Sequence, residues 1–241
     1  MKKIFFGLMV ISVVTASAQV KKTVATAKKA VTATTNPTAP KSKERLVEIT
    51  TDYGVMIAKL YDSTPKHRDN FIKLVQDKVY DSLLFHRVIS GFMIQGGDPT
   101  SKNADSTAQL GSGSLPGDRI PAEFRSNIIH KKGALAAARD GNPEKASSNC
   151  QFYIVQGKKT DTAQLKQIEQ SIKGSNPRFS YSKAQKEIYQ RIGGTPFLDQ
   201  NYTVFGEVIT GLNVIDKIAA AQTRPGDRPM KDVRMKVRLL N

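Results

Sequence analysis

The chain of 241 residues has a single cysteine, Cys150, and therefore cannot form an internal disulfide. A domain of about 200 residues buries enough apolar surface to fold without one. We interpret Cys150 as a small buried strand residue; a reactive thiol or a bridge between chains is the alternative. The three histidines lie far apart, and no cysteine or histidine pair has the spacing of metal ligands. The sequence therefore predicts no metal site.

The chain also lacks an apolar run long enough to span a membrane. Its longest apolar run lies at the N terminus. Two lysines precede about eleven apolar residues (4–14), and small residues follow at 16–18. This run is too short for a transmembrane anchor, since a spanning helix needs about 20 residues. We expect residues 1–18 to be a signal peptide that is cleaved near Ala18. The mature chain is then exported, either periplasmic or secreted, and has no membrane span.

Acidic residues are scarce, and the formal net charge is +16. Residues 19–45 carry +6 and residues 46–241 carry +8. The first of these segments is low in complexity and lacks the side chains that build a core, which predicts a flexible basic tether. A basic excess can indicate nucleic-acid binding, but no aromatic-rich basic motif accompanies it, so we expect no nucleic-acid partner. An adaptor that docks to an anionic surface through residues 20–45 is an alternative hypothesis.

Several fragments look like catalytic signatures but lack the partners that those signatures require. His67-Arg68-Asp69 is not followed by the asparagine of a kinase catalytic loop. The S-x-x-K patterns at 63–66 and 180–183 stand without the companion motifs of a serine nucleophile. These fragments therefore indicate no kinase or serine-acyltransfer chemistry.

Short strand patterns dominate the chain from Leu46 onward. Residues 46–61 predict a hairpin, and Thr64 as N-cap with Pro65 predicts the start of a helix. A second helix fits residues 212–221, with Leu212, Ile215 and Ile218 on one face. The remaining strands are predicted at 83–89, 93–95, 133–138, 151–155, 202–208 and 233–239. Many short strands with two helices indicate a mainly β protein, a closed β-barrel without exposed edges.

Residues 158–196 interrupt this strand pattern. Leu165, Ile168 and Ile172 have helical spacing, and Ser182 can cap a second helix that stops at two glycines. We predict a helical insertion, because a structureless loop of this length is improbable in a compact domain.

Three separated segments together resemble one family. They are "FHRVISGFMIQGGDPT" (85–100), "GALAAARDGNPEKASSNCQFYIV" (133–155) and "FLDQNYTVFGEV" (197–208), with "PAEF" at 121–124. Their order and residues resemble the cyclophilin-type peptidyl-prolyl cis-trans isomerases. The resemblance implies a cyclophilin-like domain over residues 46–241, a closed antiparallel eight-stranded β-barrel capped by two helices. It also implies proline-containing polypeptides as substrates and no cofactor; we expect a monomer.

The chemistry of proline isomerisation explains why an arginine suits such a site. Rotation about an X–Pro bond crosses a barrier of about 18–20 kcal/mol and needs no nucleophile, metal or proton transfer. In the twisted state the proline nitrogen becomes pyramidal and its lone pair localises. A donor aimed at that nitrogen stabilises the twisted amide more than either planar form. The resemblance assigns this catalytic role to Arg87, a permanently charged donor.

The resemblance also assigns the residues around the substrate. Gln95 and Gln151 match positions that bond the substrate backbone and orient Arg87, and Ala138 matches a wall residue. His86 matches a supporting histidine rather than an acid or base. The proline pocket is expected to be lined by Phe92, Met93, Tyr153, Leu198 and Tyr202, with Phe197 at the rim.

Four positions depart from the usual family pattern. Arg139 stands where many members have Asn, a contact made mainly by the backbone, so we expect activity to survive. Tyr153 replaces a common Phe and Tyr202 replaces a common His. Phe197 stands where drug-sensitive members carry Trp, so cyclosporin binding should be weak. A proline-binding or holdase chaperone module with little turnover is the alternative function.

Overall fold

The computed structural model describes residues 45–240, so the predicted signal peptide and nearly all of the predicted tether lie outside the described residues. This part of the chain is mainly β, with eight strands and four α-helices. The strands are β1 Leu46–Thr51, β2 Gly54–Leu60, β3 Arg87–Ile89, β4 Met93–Gly96, β5 Ala134–Ala137, β6 Phe152–Val155, β7 Val204–Thr210 and β8 Met235–Leu240. The helices are α1 Pro65–Gln76, α2 Thr162–Ser175, α3 Lys183–Arg191 and α4 Leu212–Ala219.

The strands form one antiparallel sheet in the order β3-β4-β6-β5-β7-β2-β1-β8, curled into a half-barrel. The predicted closed barrel is wrong, because β3 and β8 form no ladder with each other. The chain just before β3 instead meets the chain at the start of β8, through a bridge between Leu84 and Arg234 and backbone hydrogen bonds of the neighbouring residues. The next contact comes from a turn, where Val88 N–H donates to the carbonyl of Asp227 at 2.8 Å. Turn and bridge thus cover the edge that a barrel would close.

Helices α1 and α4 cover the open side of the curled sheet. In α1 the predicted apolar face is buried, and the Phe71 ring lies 5.4 Å from that of Phe152. In α4 the predicted face is partly wrong, since Leu212 is 38 % exposed and Val214 takes the buried position instead. The sheet and these two helices therefore enclose the main core.

The N terminus of α1 is capped by a residue distant in sequence. Thr64 occupies the predicted N-cap position, but its hydroxyl donates to Tyr61 and makes no side-chain cap. The Glu123 carboxylate accepts from the backbone N–H groups of Lys66 at 3.2 Å and His67 at 3.0 Å. It also bonds His67 Nδ1 at 2.7 Å. The "PAEF" segment thus supplies the acceptor that free N–H groups at a helix start require.

The segment 158–196 contains the two predicted helices, α2 and α3. Each begins with a capping box, Asp161 with Gln164 and Ser182 with Gln185. The segment has a small core of its own, which packs on Ile129 from the rest of the domain. The buried members of that core are Ile129, Leu165, Ile172, Phe179, Tyr181 and Tyr189.

Glu169 of α2 should make this segment sensitive to acid. Burial raises the pKa of Glu169, but bonds from Lys173, Lys186 and the Tyr181 N–H outweigh it and hold the pKa at about 2. A lowered folded-state pKa means that the stabilisation is complete above the ordinary value of 4.5 and disappears as pH falls through about 2.

We therefore expect the amide NMR signals of α2 and α3 to broaden between pH 5 and pH 2 before those of β5 and β6. Glu169→Gln should flatten this pH dependence, and Glu187→Gln on the exposed side of α3 is the control. Equal acid sensitivity of the Glu169→Gln protein and the unmodified protein would contradict the assignment.

None of the helices in the described part of the chain combines the length and the apolar character needed to cross a bilayer.

Candidate active site

A cavity of about 140 Å³ opens on the outer face of the curled sheet, where β3, β4, β5 and β6 lie beside the chain after α3. It brings together residues from three segments that are far apart in sequence. Its lining residues are Arg87, Phe92, Met93, Gln95, Ala138, Arg139, Tyr153, Leu198 and Tyr202. Nine predicted site residues thus surround one cavity.

Arg87 stands at the mouth of this cavity, at the first position of β3, with 44 % of its side chain exposed. Its Nε donates to Asp227 Oδ2 at 3.3 Å. Within residues 45–240, Nη1 and Nη2 of Arg87 have no hydrogen-bond partner, and only Nε has one. The two terminal nitrogens can therefore donate to a bound peptide.

Phe92 and Met93 are held by a tightly bonded turn. Gly91 N–H donates to Gln156 Oε1 at 2.6 Å, and Gln156 Nε2 donates to Asp216 of α4 at 3.0 Å. The Phe92 carbonyl accepts from the N–H groups of residues 156 and 157, each at 3.0 Å. Met93 itself is almost fully buried. The apolar end of the cavity is thus fixed by backbone contacts as well as by packing.

Two tyrosines form a wall of the cavity. The rings of Tyr153 and Tyr202 meet edge to face with centroids 6.0 Å apart. The Arg139 guanidinium lies 4.6 Å from the centre of the Tyr202 ring, and its Nε donates to the carbonyl of Asn201 at 2.9 Å. A cation over an aromatic face is attractive, so Arg139 stabilises the position of Tyr202.

Gln95 and Gln151 connect the cavity to a larger one beside it. Gln95 lies directly opposite Arg87 in the β3–β4 register, but its amide donates to Gln151 Oε1 at 3.0 Å. Gln151 in turn donates to the carbonyls of Gly111 and Gly113 at 3.0 and 2.8 Å. The second cavity, of about 620 Å³, is bounded by this glycine-containing loop. The contact of Arg87 is with Asp227, not with the predicted Gln95.

Phe197 lies outside the cavity lining, at the rim. It is 54 % exposed, and its ring centroid is 5.7 Å from that of Phe92. A large apolar side chain that is half exposed beside a cavity offers a contact surface to a bound ligand. The placement agrees with the predicted rim position.

His86 is buried beneath the site. Burial lowers its pKa to about 4, so the imidazole is neutral at physiological pH. Both ring nitrogens are enclosed and have no hydrogen-bond partner within residues 45–240. A buried neutral ring is poorly suited to proton transfer; the supporting role of His86 stays a prediction.

Gly97 explains the end of the strand that carries Met93 and Gln95. Its φ of +91° lies in the left-handed region, and a Cβ there would come within 2.4 Å of the Cys150 carbonyl oxygen. Only glycine adopts such backbone without strain.

Cys150 is a buried free thiol, and burial raises its pKa, which lowers its reactivity. Within residues 45–240 there is no cluster of three or more metal-ligating side chains.

Sequence reasoning missed two groups that organise the site. Asp227, the partner of Arg87, lies in a Pro-Gly-Asp turn that predicts only loop structure. His130 and Asp199, which stand behind Tyr153, had no sequence signal that separates them from ordinary polar residues. Their partners are set by tertiary packing alone.

Comparison with known proteins assigns the family. Residues 46–238 match the family described as cyclophilin type peptidyl-prolyl cis-trans isomerase/CLD. A putative peptidyl-prolyl cis-trans isomerase of Staphylococcus aureus (strain USA300) is 36 % identical over 184 residues, which are 76 % of this chain and 85 % of the relative. A putative bifunctional phosphatase/peptidyl-prolyl cis-trans isomerase of Streptococcus pyogenes serotype M6 is 36 % identical over 201 residues, 82 % of this chain and 38 % of that protein.

Solved structures agree in fold. A cyclophilin type peptidyl-prolyl cis-trans isomerase of Cryptosporidium parvum superposes with a TM-score of 0.59 at 22 % identity, covering 82 % of this chain and 98 % of that one. A second crystal structure of that isomerase, in the presence of the dipeptide Ala-Pro, gives a TM-score of 0.56 at 22 % identity, with 81 % and 99 % covered. The chain therefore belongs to the cyclophilin-type peptidyl-prolyl cis-trans isomerases, and it is an enzyme of this class.

Proposed function

We propose that this chain accelerates X–Pro bond rotation in polypeptides that fold outside the cytoplasm, with Arg87 stabilising the twisted amide. The observation that carries the proposal is the placement of one exposed guanidinium, that of Arg87, beside the side chains of Phe92 and Met93 in a cavity of about 140 Å³. The Ala-Pro dipeptide used with the Cryptosporidium relative supports a proline ring as the group that enters the cavity.

The cavity provides the first part of the mechanism. The proline ring packs against the side chains of Phe92 and Met93 and the ring of Tyr153. The two polypeptide arms stay outside, so the prolyl nitrogen lies near the mouth. The cavity holds the proline ring in place. The residue before the proline can then rotate about the X–Pro bond.

Arg87 provides the second part of the mechanism. Its Nη groups donate to the prolyl nitrogen once the lone pair localises, and a charge-assisted hydrogen bond is stronger than a neutral one. Asp227 holds Nε and so turns the terminal nitrogens toward the cavity. No covalent bond forms, and lowering the barrier by about 7 kcal/mol corresponds to roughly a 10⁵-fold acceleration.

The remaining site residues hold the peptide backbone. Gln95 and Gln151 offer amide groups along the groove between the two cavities, and Ala138 leaves room for an extended chain. Arg139 acts through its backbone and through its support of Tyr202. The holdase alternative is not favoured, because the curated relatives are described as isomerases.

The isomerase proposal is tested by a proline-peptide assay together with an aggregation-suppression assay. We expect the full chain to accelerate peptide isomerisation and Arg87→Ala to lose this acceleration. A protein that suppresses aggregation equally well with or without Arg87, and accelerates nothing, would be a holdase.

We also propose that the protein is exported after cleavage near Ala18, so that the mature chain begins with residues 19–45. The basic start, the apolar run of about eleven residues and the small residues at 16–18 support this proposal. We expect the intact mass of the protein recovered outside the cytoplasm to begin at residue 19. Introducing Arg at Val10 should abolish export, whereas Thr35→Arg in the tether should not. Recovery of the full 241-residue chain from the cytoplasm would contradict the proposal.

A further inference from the structure

A buried hydrogen-bond chain joins the two-helix segment to the wall of the proline cavity. Its centre is Asp199, whose carboxylate is almost fully enclosed. Oδ2 accepts from the hydroxyls of Tyr181 at 2.7 Å and Tyr189 at 2.5 Å. Both tyrosines belong to the segment 158–196. Burying a carboxylate is unfavourable unless hydrogen-bond donors compensate its charge. Here two tyrosine hydroxyls donate to one carboxylate oxygen.

The other oxygen of Asp199 leads to the cavity. Oδ1 accepts from the backbone N–H of His130 at 2.9 Å and from His130 Nδ1 at 2.7 Å. The far ring nitrogen, Nε2, lies 3.0 Å from the hydroxyl of Tyr153. When Nδ1–H of a neutral ring donates to the carboxylate, Nε2 carries no hydrogen and can only accept. The Tyr153 hydroxyl therefore donates to His130.

This arrangement decides what Tyr153 presents to a ligand. The hydroxyl of a tyrosine in a cavity wall needs a hydrogen-bond partner when it is buried. Here the hydroxyl donates to His130, which does not line the cavity, and the ring of Tyr153 forms part of the cavity lining. The Tyr153 and His130 rings are also nearly parallel, with centroids 6.1 Å apart and 12° between planes.

Backbone contacts fix the two-helix segment to the same place. Thr195 N–H donates to the carbonyl of His130 at 2.8 Å, and within the segment the Tyr181 hydroxyl, which donates to Asp199, also lies 3.1 Å from the carbonyl oxygen of Pro196. Pro196 directly precedes Phe197 at the rim, and Leu198 lines the cavity. The segment thus touches both the chain that carries Asp199 and the chain that carries His130.

We infer that residues 158–196 position the wall of the proline cavity, with Tyr181 and Tyr189 acting through Asp199 and His130 to hold the ring of Tyr153. The inference rests on the proposed function of that cavity. Tyr181, Tyr189, Asp199 and His130 are positioning residues, since none of them lines the cavity. The segment is then a component of substrate binding and not only an attachment on the surface.

The kinetic test removes the two hydroxyls and keeps the rings. Tyr181→Phe/Tyr189→Phe should raise KM for a proline peptide about three- to tenfold and leave kcat nearly unchanged, because Arg87 is not touched. In a Tyr153→Phe background the same pair should have no further effect on KM, since the transmitting hydroxyl is already absent. Tyr80→Phe removes a buried tyrosine hydroxyl outside this hydrogen-bond chain, one that donates to the Cys150 carbonyl at 3.1 Å; it is the matched control and should leave KM unchanged. An equal rise of KM in both backgrounds would overturn the inference.

A spectroscopic test separates this inference from the isomerase proposal. The chain has three histidines, so imidazole nitrogen signals in NMR are few. His130 should be the Nδ1–H tautomer in the unmodified protein, and the two-tyrosine variant should shift its ring signals and those of Tyr153 without unfolding. The Tyr80→Phe control should shift neither. Unchanged His130 and Tyr153 signals in the two-tyrosine variant would overturn the inference even if the enzyme is active, and a shift would support it even if no isomerisation is detected.

Discussion

Arg87→Ala should lower kcat/KM for proline-peptide isomerisation by about 10²- to 10³-fold, the usual cost of removing one donor that stabilises a developing charge. The loss should fall on kcat, because the cavity that binds the proline ring stays intact. Stability should change little, since the side chain is 44 % exposed and its ion pair with Asp227 lies at the surface. Steady-state kinetics and a thermal melt of the same preparation measure both quantities.

Two further variants show whether the charge or its geometry matters. Arg87→Lys keeps the charge but loses the planar fork, so most of the rate should still be lost. Arg238→Ala removes another exposed arginine, whose Nε donates to Glu48 at 2.7 Å on the far side of the sheet. This control should keep the full rate. If Arg87→Ala isomerises peptides as fast as Arg238→Ala, Arg87 is not the catalytic donor.

Glu123→Ala should cause a large loss of stability, about 3 kcal/mol. The substitution leaves the N–H groups of Lys66 and His67 and the His67 ring without their acceptor, in a place where water does not replace it. For a domain of this size the melting temperature should fall by roughly 10 °C. Thermal unfolding followed by circular dichroism measures the change.

The matched control for this stability prediction is Glu144→Ala. Glu144 is exposed, so its removal should change stability by no more than about 0.5 kcal/mol. Glu123→Gln should lie between the two, because the amide oxygen can replace one acceptor while its NH₂ group faces the donors. A melting temperature of Glu123→Ala equal to that of Glu144→Ala would show that the distant cap does not hold α1.

Local sequence patterns were enough to predict most helices and strands. The apolar spacing of Phe71, Leu74 and Val75 located α1, and Leu165, Ile168 and Ile172 located α2. These patterns work because one face of each element packs on a core and repeats with the period of the element. They did not specify the closure of the sheet, since closure depends on whether β3 pairs with β8, a contact between two edge strands that lie far apart in sequence.

Polar partners across long sequence distances could not be predicted in the same way. Glu123 accepts from the N–H of Lys66, 57 positions earlier, and Asp227 meets Arg87 across 140 positions. A buried carboxylate and an exposed one look alike in sequence. The cavity residues were predicted because the family resemblance carried the tertiary arrangement with it. That resemblance did not include residues 158–196, so the contacts of Tyr181 and Tyr189 came only from the structure.

We expect the chain to catalyse cis-trans isomerisation of X–Pro bonds and not only to bind proline-containing peptides. Exchange NMR on a short peptide containing Ala-Pro, with the full chain at a small fraction of the peptide concentration, tests it directly. Uncatalysed exchange takes tens to hundreds of seconds, so cis and trans signals are unconnected on shorter mixing times. We predict cross peaks between them within about one second, as expected for a barrier lowered by several kcal/mol. Peptide-induced shifts at Phe92 and Met93 without any cross peaks would contradict the claim.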